Sequence, residues 1–146
     1  MKVHIQENPD QGEPEAVIRC RSADEDEVKR ALSVLRLLDM RLAGRKGGSA
    51  VLVNAGDVLY FDSVDKQTFM YTEAEVFETP LRLYMLEEQL SRGSFLRVSK
   101  NAIVNINKIA SLMPVFGGRM EAALTNGERI TISRQYVPQF KAKLRL

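Results

Sequence analysis

The stretch FLRVSKNAIVNINKI, from Phe95 to Ile109, sets Arg97, Ser99, Lys100, Asn101, Asn105, Asn107 and Lys108 among apolar residues. Lys and Arg supply charged donors, and each Asn supplies a donor beside an acceptor. No carboxylate falls within the stretch to pair with the cations. Residues of these types at this density suit recognition of an anionic, hydrogen-bonding ligand. The charge distribution points the same way. Residues Phe95 to Leu146 hold nine Lys/Arg against two Asp/Glu, a balance of +7. Residues Met1 to Ser94 hold twelve against seventeen, a balance of −5, and the whole chain carries only +2. Nucleic acid and an anionic membrane are the first candidate partners. The alternative is that the two halves pack together and neutralise each other.

Bond-making chemistry finds little support. His4 and Cys20 are single, which argues against a zinc site of the usual ligands. No P-loop, glycine-rich dinucleotide loop or Gly-x-Ser-x-Gly elbow is present. A Cys–His pair is formally available, but Cys20 lies in the alternating stretch AVIRCRS, where it reads as a buried small hydrophobe. Carboxylates are plentiful, yet no spacing singles out a pair. No enzyme, metal or cofactor is expected. One cysteine fits a reducing cytoplasm, the N-terminus lacks the apolar run of a secretory signal, and no apolar run is long enough to span a bilayer.

The 146 residues, 45% of them hydrophobic, can bury one ordinary core with a small appendage. Met1–Ile5 and Ala16–Arg21 read as strands around a Pro/Gly loop. Ser22-Ala23-Asp24-Glu25 forms a capping box for the helix DEDEVKRALSVLRLLDMRLA, ended by Gly44, Gly47 and Gly48. Val34, Leu37 and Met40 widen that helix's apolar surface beyond one stripe, either to pack on the following sheet or to meet a second copy. From Ser49 the pattern changes to strands: SAVLVN, VLYFDSV, TFMYT, VFET, FLRVS, IASLMPVF, RMEAALT and ERITIS. Thr79-Pro80 marks the start of the short helix LRLYMLEEQL. Asn126-Gly127 makes a tight hairpin. Ser133 caps a last helix with Pro138 in its first turns. The body is mostly β, with two short helices. No helix pair joined by a tight turn and no base-stacking aromatic pair is visible, so a nucleic acid would be met mainly by loops.

Three ordered motifs carry a family likeness. Asp57-Val58-Leu59-Tyr60-Phe61-Asp62-Ser63, FLRVSKNAIVNINKI, and Asn126-Gly127 followed by ITISRQYV lie at matching separations. Over residues 45–146 the chain resembles the LytTR-type DNA-binding domain of bacterial transcriptional regulators. The resemblance implies an elongated fold of small antiparallel β-sheets whose loops enter successive major grooves. Base edges there ask for paired donors and acceptors, and phosphates reject carboxylates. Residues 1–44 are expected to be a strand–helix extension and a possible dimerisation element. They are too few for a phosphate-accepting receiver domain, so a stand-alone regulator is expected.

The resemblance also implies contact residues. The loop after the first conserved strand contributes Lys66, Gln67 and Thr68. The central motif contributes Arg97, Ser99, Lys100 and Asn101. Many relatives carry His, then Arg or Lys, then Ser where this chain has Ser99, Lys100 and Asn101, so base preference is expected to differ. The third region contributes Arg134, Gln135 and Tyr136. Structural roles compete at several positions. Arg97 can pair with an acidic residue, Asn105 and Asn107 can tie down backbone amides, and Tyr136 can plug the core. The expected partners are double-stranded DNA and a second copy of the chain. By resemblance alone, such regulators are often associated with a membrane protein. The competing function is a protein-docking module whose basic face meets an acidic partner.

Overall fold

The computed structural model describes residues 1–91 and 93–146. After a coil over residues 1–25 the chain runs through α1 (Asp26–Leu37), β1 (Arg41–Lys46), β2 (Ser49–Asn54), β3 (Tyr60–Val64), β4 (Gln67–Tyr71), β5 (Val76–Thr79), α2 (Leu83–Gln89), β6 (Phe95–Ser99), β7 (Ala102–Asn105), β8 (Ile109–Val115), β9 (Arg119–Leu124), β10 (Arg129–Ile132) and α3 (Val137–Leu144). Single 3-10 turns occupy Ala55–Asp57, Ile106–Lys108 and Arg134–Tyr136. All strand pairs are antiparallel, in a seven-stranded sheet ordered β2-β1-β5-β4-β3-β7-β6 and a three-stranded sheet ordered β10-β9-β8. The mostly β body with two short helices is as expected. Among the described residues no helix is long and apolar enough to cross a membrane.

Two cores form because successive strand residues face opposite ways. Phe61 and Ile103 join Val58, Met70, Leu86 and Leu90 in one core. Leu59, Val98 and Val104 join Ala122, Ile132 and Phe140 in the other. Strand β7 is therefore buried on both faces, all four of its residues included. A strand covered on both sides reads as a continuous apolar run, which is why Ala102, Ile103 and Val104 follow one another. Met120, Ala122 and Leu124 share the inward face of β9, as their alternation predicts. Phe140 is fully enclosed and fixes α3 on the second core. Burial of such a ring contributes roughly 2–3 kcal/mol.

The N-terminal segment departs from expectation. Neither Met1–Ile5 nor Ala16–Arg21 forms a strand. Alternation gives a segment a face but not a partner, and the only backbone–backbone bond donated within residues 1–21 closes a local turn from Gln11 to Asn8. Cys20 is accordingly exposed rather than buried. Ser22 and Glu25 bond locally rather than capping the helix: the Glu25 carboxylate accepts from the Ser22 amide at 3.2 Å and the Ser22 hydroxyl from the Asp24 amide at 3.1 Å, while the N-cap position, Glu25, makes no side-chain cap. The helix starts just after them.

Helix α1 stops at Leu37, not at Ala43. The residues beyond it also alternate, and as β1 they bury Leu42 and Gly44 while Arg41, Ala43 and Arg45 face out. Six paired positions with β2 outweigh one more turn of helix. Gly47 and Gly48, at φ of 57° and 85°, close the β1–β2 hairpin, where two successive left-handed residues match the strand twist. The Thr79-Pro80 start is also displaced. Thr79 is buried in β5, its hydroxyl accepts from the Leu81 amide at 3.3 Å, and α2 begins only at Leu83. Ser133 precedes a 3-10 turn rather than capping α3, and its hydroxyl donates to the Val98 carbonyl at 3.3 Å.

Gly44 is set by close approach. A Cβ there would lie 2.7 Å from Met70 Cε and 3.1 Å from Phe77 Cβ. Gly44→Ala is expected to cost about 1–3 kcal/mol through overpacking. Chemical denaturation of the two proteins measures it, and an unchanged midpoint would show that Met70 yields freely.

Candidate nucleic-acid interface

The three segments singled out by sequence meet at one end of the larger sheet. The first is the two-residue turn between β3 and β4. Val64 pairs with Gln67, so Asp65 and Lys66 make the reversal, both with positive φ (51° and 67°). Glycine is the residue that takes this conformation without cost. Two bulky residues held there are backbone strain at an exposed tip. Arg82 Nη1 donates to the Lys66 carbonyl and steadies it. Lys66 and Gln67 are exposed, whereas Thr68 is 2% exposed and faces inward from β4.

The second segment is the β6–β7 turn, Lys100-Asn101, both exposed. Its backbone is tied down from three sides. The Ser99 hydroxyl accepts from the Asn101 amide at 3.2 Å. The Asn101 carbonyl accepts from the Ser63 amide of β3 at 2.9 Å. The Arg97 guanidinium donates to the carbonyls of Ser99 (2.9 Å) and Lys100, and also meets Glu87 Oε2 at 3.0 Å. Of the two readings of Arg97, the pair with an acidic residue is therefore present. Arg97 braces the turn that carries Lys100.

The third segment follows β10. The Ser133 amide donates to the Val98 carbonyl at 2.8 Å, which docks the start of the 3-10 turn on β6. Arg134 and Gln135 are exposed. Tyr136 is half-buried against the second core, which favours its packing role. The Ser63–Asn101 bond joins the first tip to the second, and the Ser133–Val98 bond joins the second to the third.

Asn105 and Asn107 lie away from these tips. Asn105 is 1% exposed. Its Nδ2 donates to the Val58 carbonyl at 2.9 Å, and its Oδ1 accepts from the Ser94 hydroxyl at 2.7 Å and the Asn107 amide at 3.1 Å. Asn105 is an architectural amide, and Asn107 joins it through its backbone.

Cross-half neutralisation is slight. Arg97–Glu87 and Arg145–Asp26 are the ion pairs between the basic and acidic halves among the described residues. Lys66, Arg82, Lys100, Arg119, Arg134, Lys141 and Lys143 form no ion pair among the described residues. The carboxylates at this end include Asp65, in the first turn, Glu78, which lines a groove with Lys66, Gln67 and Arg82, and Glu87, which is paired with Arg97. On β3, burial holds the Asp62 carboxyl above its usual range, partly offset by the Tyr71 hydroxyl donating at 3.1 Å. Burial, and then the nearby Asp62 charge, push the Tyr71 phenol up to about 12. Tyr71 stacks on Tyr60, ring centroids 4.2 Å apart, and covers this patch of the sheet.

Arg82 was not among the residues suggested by sequence. It comes to the first tip by a contact across sixteen residues, which no local pattern announces.

Known proteins resemble this chain in sequence and fold. The family model of the LytTr DNA-binding domain matches residues 48–145. The sensory transduction protein LytT of Bacillus anthracis is 35% identical over 98 residues, which are 67% of this chain and 40% of that protein. The chain thus spans well under half of the LytT relatives' length. An uncharacterized HTH-type transcriptional regulator of Staphylococcus aureus is 31% identical over 121 residues, 82% of each chain. The solved structure of a LytTr DNA-binding domain from Bacillus cereus superposes with a TM-score of 0.70 at 25% identity, covering 73% of this chain and 97% of that one. By the match over residues 48–145 and the shared fold, the chain belongs to the LytTR family of DNA-binding domains.

Proposed function

We propose that this protein is a sequence-specific transcriptional regulator that reads double-stranded DNA through loops inserted into the major groove. The observation that carries the reading is the convergence of three tips on one end of the sheet. They are distant in sequence, fastened by Ser63–Asn101 and Ser133–Val98 hydrogen bonds, and armed with Lys66, Lys100 and Arg134. Amide and guanidinium groups on such tips can pair with base edges, and the remaining cations suit phosphates. The left-handed backbone at Lys66 adds support. Strain tends to persist where a side chain is needed for function. A regulator that reads DNA in this way would work in the bacterial cytoplasm.

In this reading residues 45–146 form the DNA-binding body, residues 1–44 serve assembly, and β1 runs across the division. Val34 of α1 and Leu38, just past its end, remain 46% and 66% exposed. They line a shallow hollow with Asn54, Gly56 and Asn107. A two-fold contact with a second copy would cover this apolar flank and set two bodies on repeated half-sites.

Three outcomes follow. Lys66→Gly is expected to raise stability by up to about 1 kcal/mol, because glycine accepts the turn without strain, while weakening DNA binding. Thermal unfolding together with binding titrations checks this, and tighter binding by the variant would remove Lys66 from the interface. Arg134→Ala is expected to cost roughly 1–3 kcal/mol of binding and to relax preference at one base position, with little recovery in Arg134→Lys, since an ammonium is not a planar fork. Titrations on a selected duplex and its single-base variants, at several salt concentrations, measure it. Equal loss on every variant would make Arg134 a phosphate clamp, and salt-dependent binding with no preference among duplexes would favour the acidic-partner reading. Finally, sedimentation at tens of micromolar is expected to show a dimer that Val34→Glu with Leu38→Glu dissociates. A monomeric wild-type chain would end the assembly proposal.

A further inference from the structure

A fourth tip stands beside the third. The loop between β8 and β9 carries Phe116, at 92% exposure the most exposed large hydrophobic residue among those described. The loop is a defined turn. Val115 pairs with Arg119, Gly117 and Gly118 reverse the chain at φ of 85° and 74°, and Arg119 Nε donates to the Phe116 carbonyl at 3.1 Å. Its position follows from register. Met120 lies opposite both Pro114 of β8 and Ile132 of β10, so the loop and the Ser133–Arg134 segment leave the same end of the smaller sheet. Contact is close, since a Cβ on Gly118 would lie 3.1 Å from Cγ and Cδ of Arg134. The nearest carboxylate along β9, Glu121, is occupied by Arg129 at 2.8 Å. The tip thus presents an exposed aromatic ring in the same turn as Arg119 and near the stem of Arg134.

An apolar ring flanked by cations is poorly matched to water and well matched to a nucleic-acid duplex, where phosphates take the cations and sugar and base edges take the ring. With Arg134 in the major groove, a side chain on the adjacent tip would lie over the flanking sugar–phosphate strand, within reach of the minor groove beyond it. We propose that the β8–β9 tip is a fourth DNA-contacting element, with Phe116 seated in the minor groove that flanks the groove entered by Arg134 and Arg119 on the phosphate strand between. This rests on the DNA-binding reading above and adds a groove and a residue that the sequence motifs did not suggest.

The experiment uses the full chain and a duplex selected from a randomised pool by the wild-type protein. Binding titrations and hydroxyl-radical footprints, which report on the minor groove, are compared for the wild type, Phe116→Ala and Arg119→Ala. Phe116→Ala is expected to leave thermal unfolding unchanged, to weaken binding about tenfold, the size of one aromatic contact to a nucleic acid, and to lose protection at one flanking minor-groove segment. Its salt dependence stays as in the wild type, whereas Arg119→Ala lowers the salt slope by about one ion. If the wild type selects and binds a duplex but Phe116→Ala keeps both its affinity and its footprint, the fourth tip is overturned and the DNA-binding reading stands. Unchanged DNA binding with lost self-association in sedimentation also overturns it, and makes Phe116 a protein contact. If the wild type binds no duplex, both readings fall.

Discussion

Asn105 is the interaction on which the two-core architecture depends. It ends β7 at the point where the chain leaves the larger sheet for the smaller one. Its amide donates to the carbonyl ahead of β3 and accepts from the residue ahead of β6 and from the 3-10 turn behind it. Its backbone amide adds a bond to the Leu59 carbonyl at 2.9 Å. Three chain segments are thereby fixed at one buried point, and every bond replaces one that water would otherwise make. A buried amide in this position is costly unless fully partnered, and no buried side-chain polar atom lacks a partner among the described residues. Apolar packing alone would hold the segments together without fixing their angles. The amide specifies a single arrangement.

From that point the two cores divide the labour. The core beneath α2 holds β3, β4 and β7 together and sets the first two tips. The core beneath α3 joins β6 to the smaller sheet and sets the third. The bond from Ser133 to Val98 crosses between the sheets. Arg97 performs a local version of the same task, since its guanidinium spans Glu87 and two carbonyls of the turn that holds Lys100 out. One cation of the dense polar stretch, Arg97, is thus a brace, whereas Lys100 forms no ion pair among the described residues.

Much of this was legible from Ser49 onward because two independent signals agreed there. Alternation marked the strands, and Gly, Asn and Asp marked the turns between them. The dense polar stretch separated into architecture and display once burial was known: Arg97, Asn105 and Asn107 organise backbone, whereas Lys100 and Asn101 face solvent. The errors fell where a pattern had two solutions. LDMRLAGRK satisfies helical spacing and strand alternation, and only the partner strand β2 decides between them. The alternation of Met1–Ile5 and Ala16–Arg21 found no partner at all. Thr68 was grouped with its neighbours, yet the period-two geometry of β4 turns it inward. Arg82 could not be found from sequence, because what recruits it is a carbonyl on another hairpin.

The turns at Asp65–Lys66 and Lys100–Asn101 have a consequence for how such a protein changes over generations. Each tip is two residues long, is held by backbone bonds from the frame, and contributes no buried apolar side chain to either core. Substitutions there alter what is displayed without loosening what displays it. On the DNA-binding reading proposed above, recognition can drift one side chain at a time with both cores untouched, and any cost is confined to the backbone of the turn itself. On that same reading, chains that share this scaffold could differ in the sites they prefer.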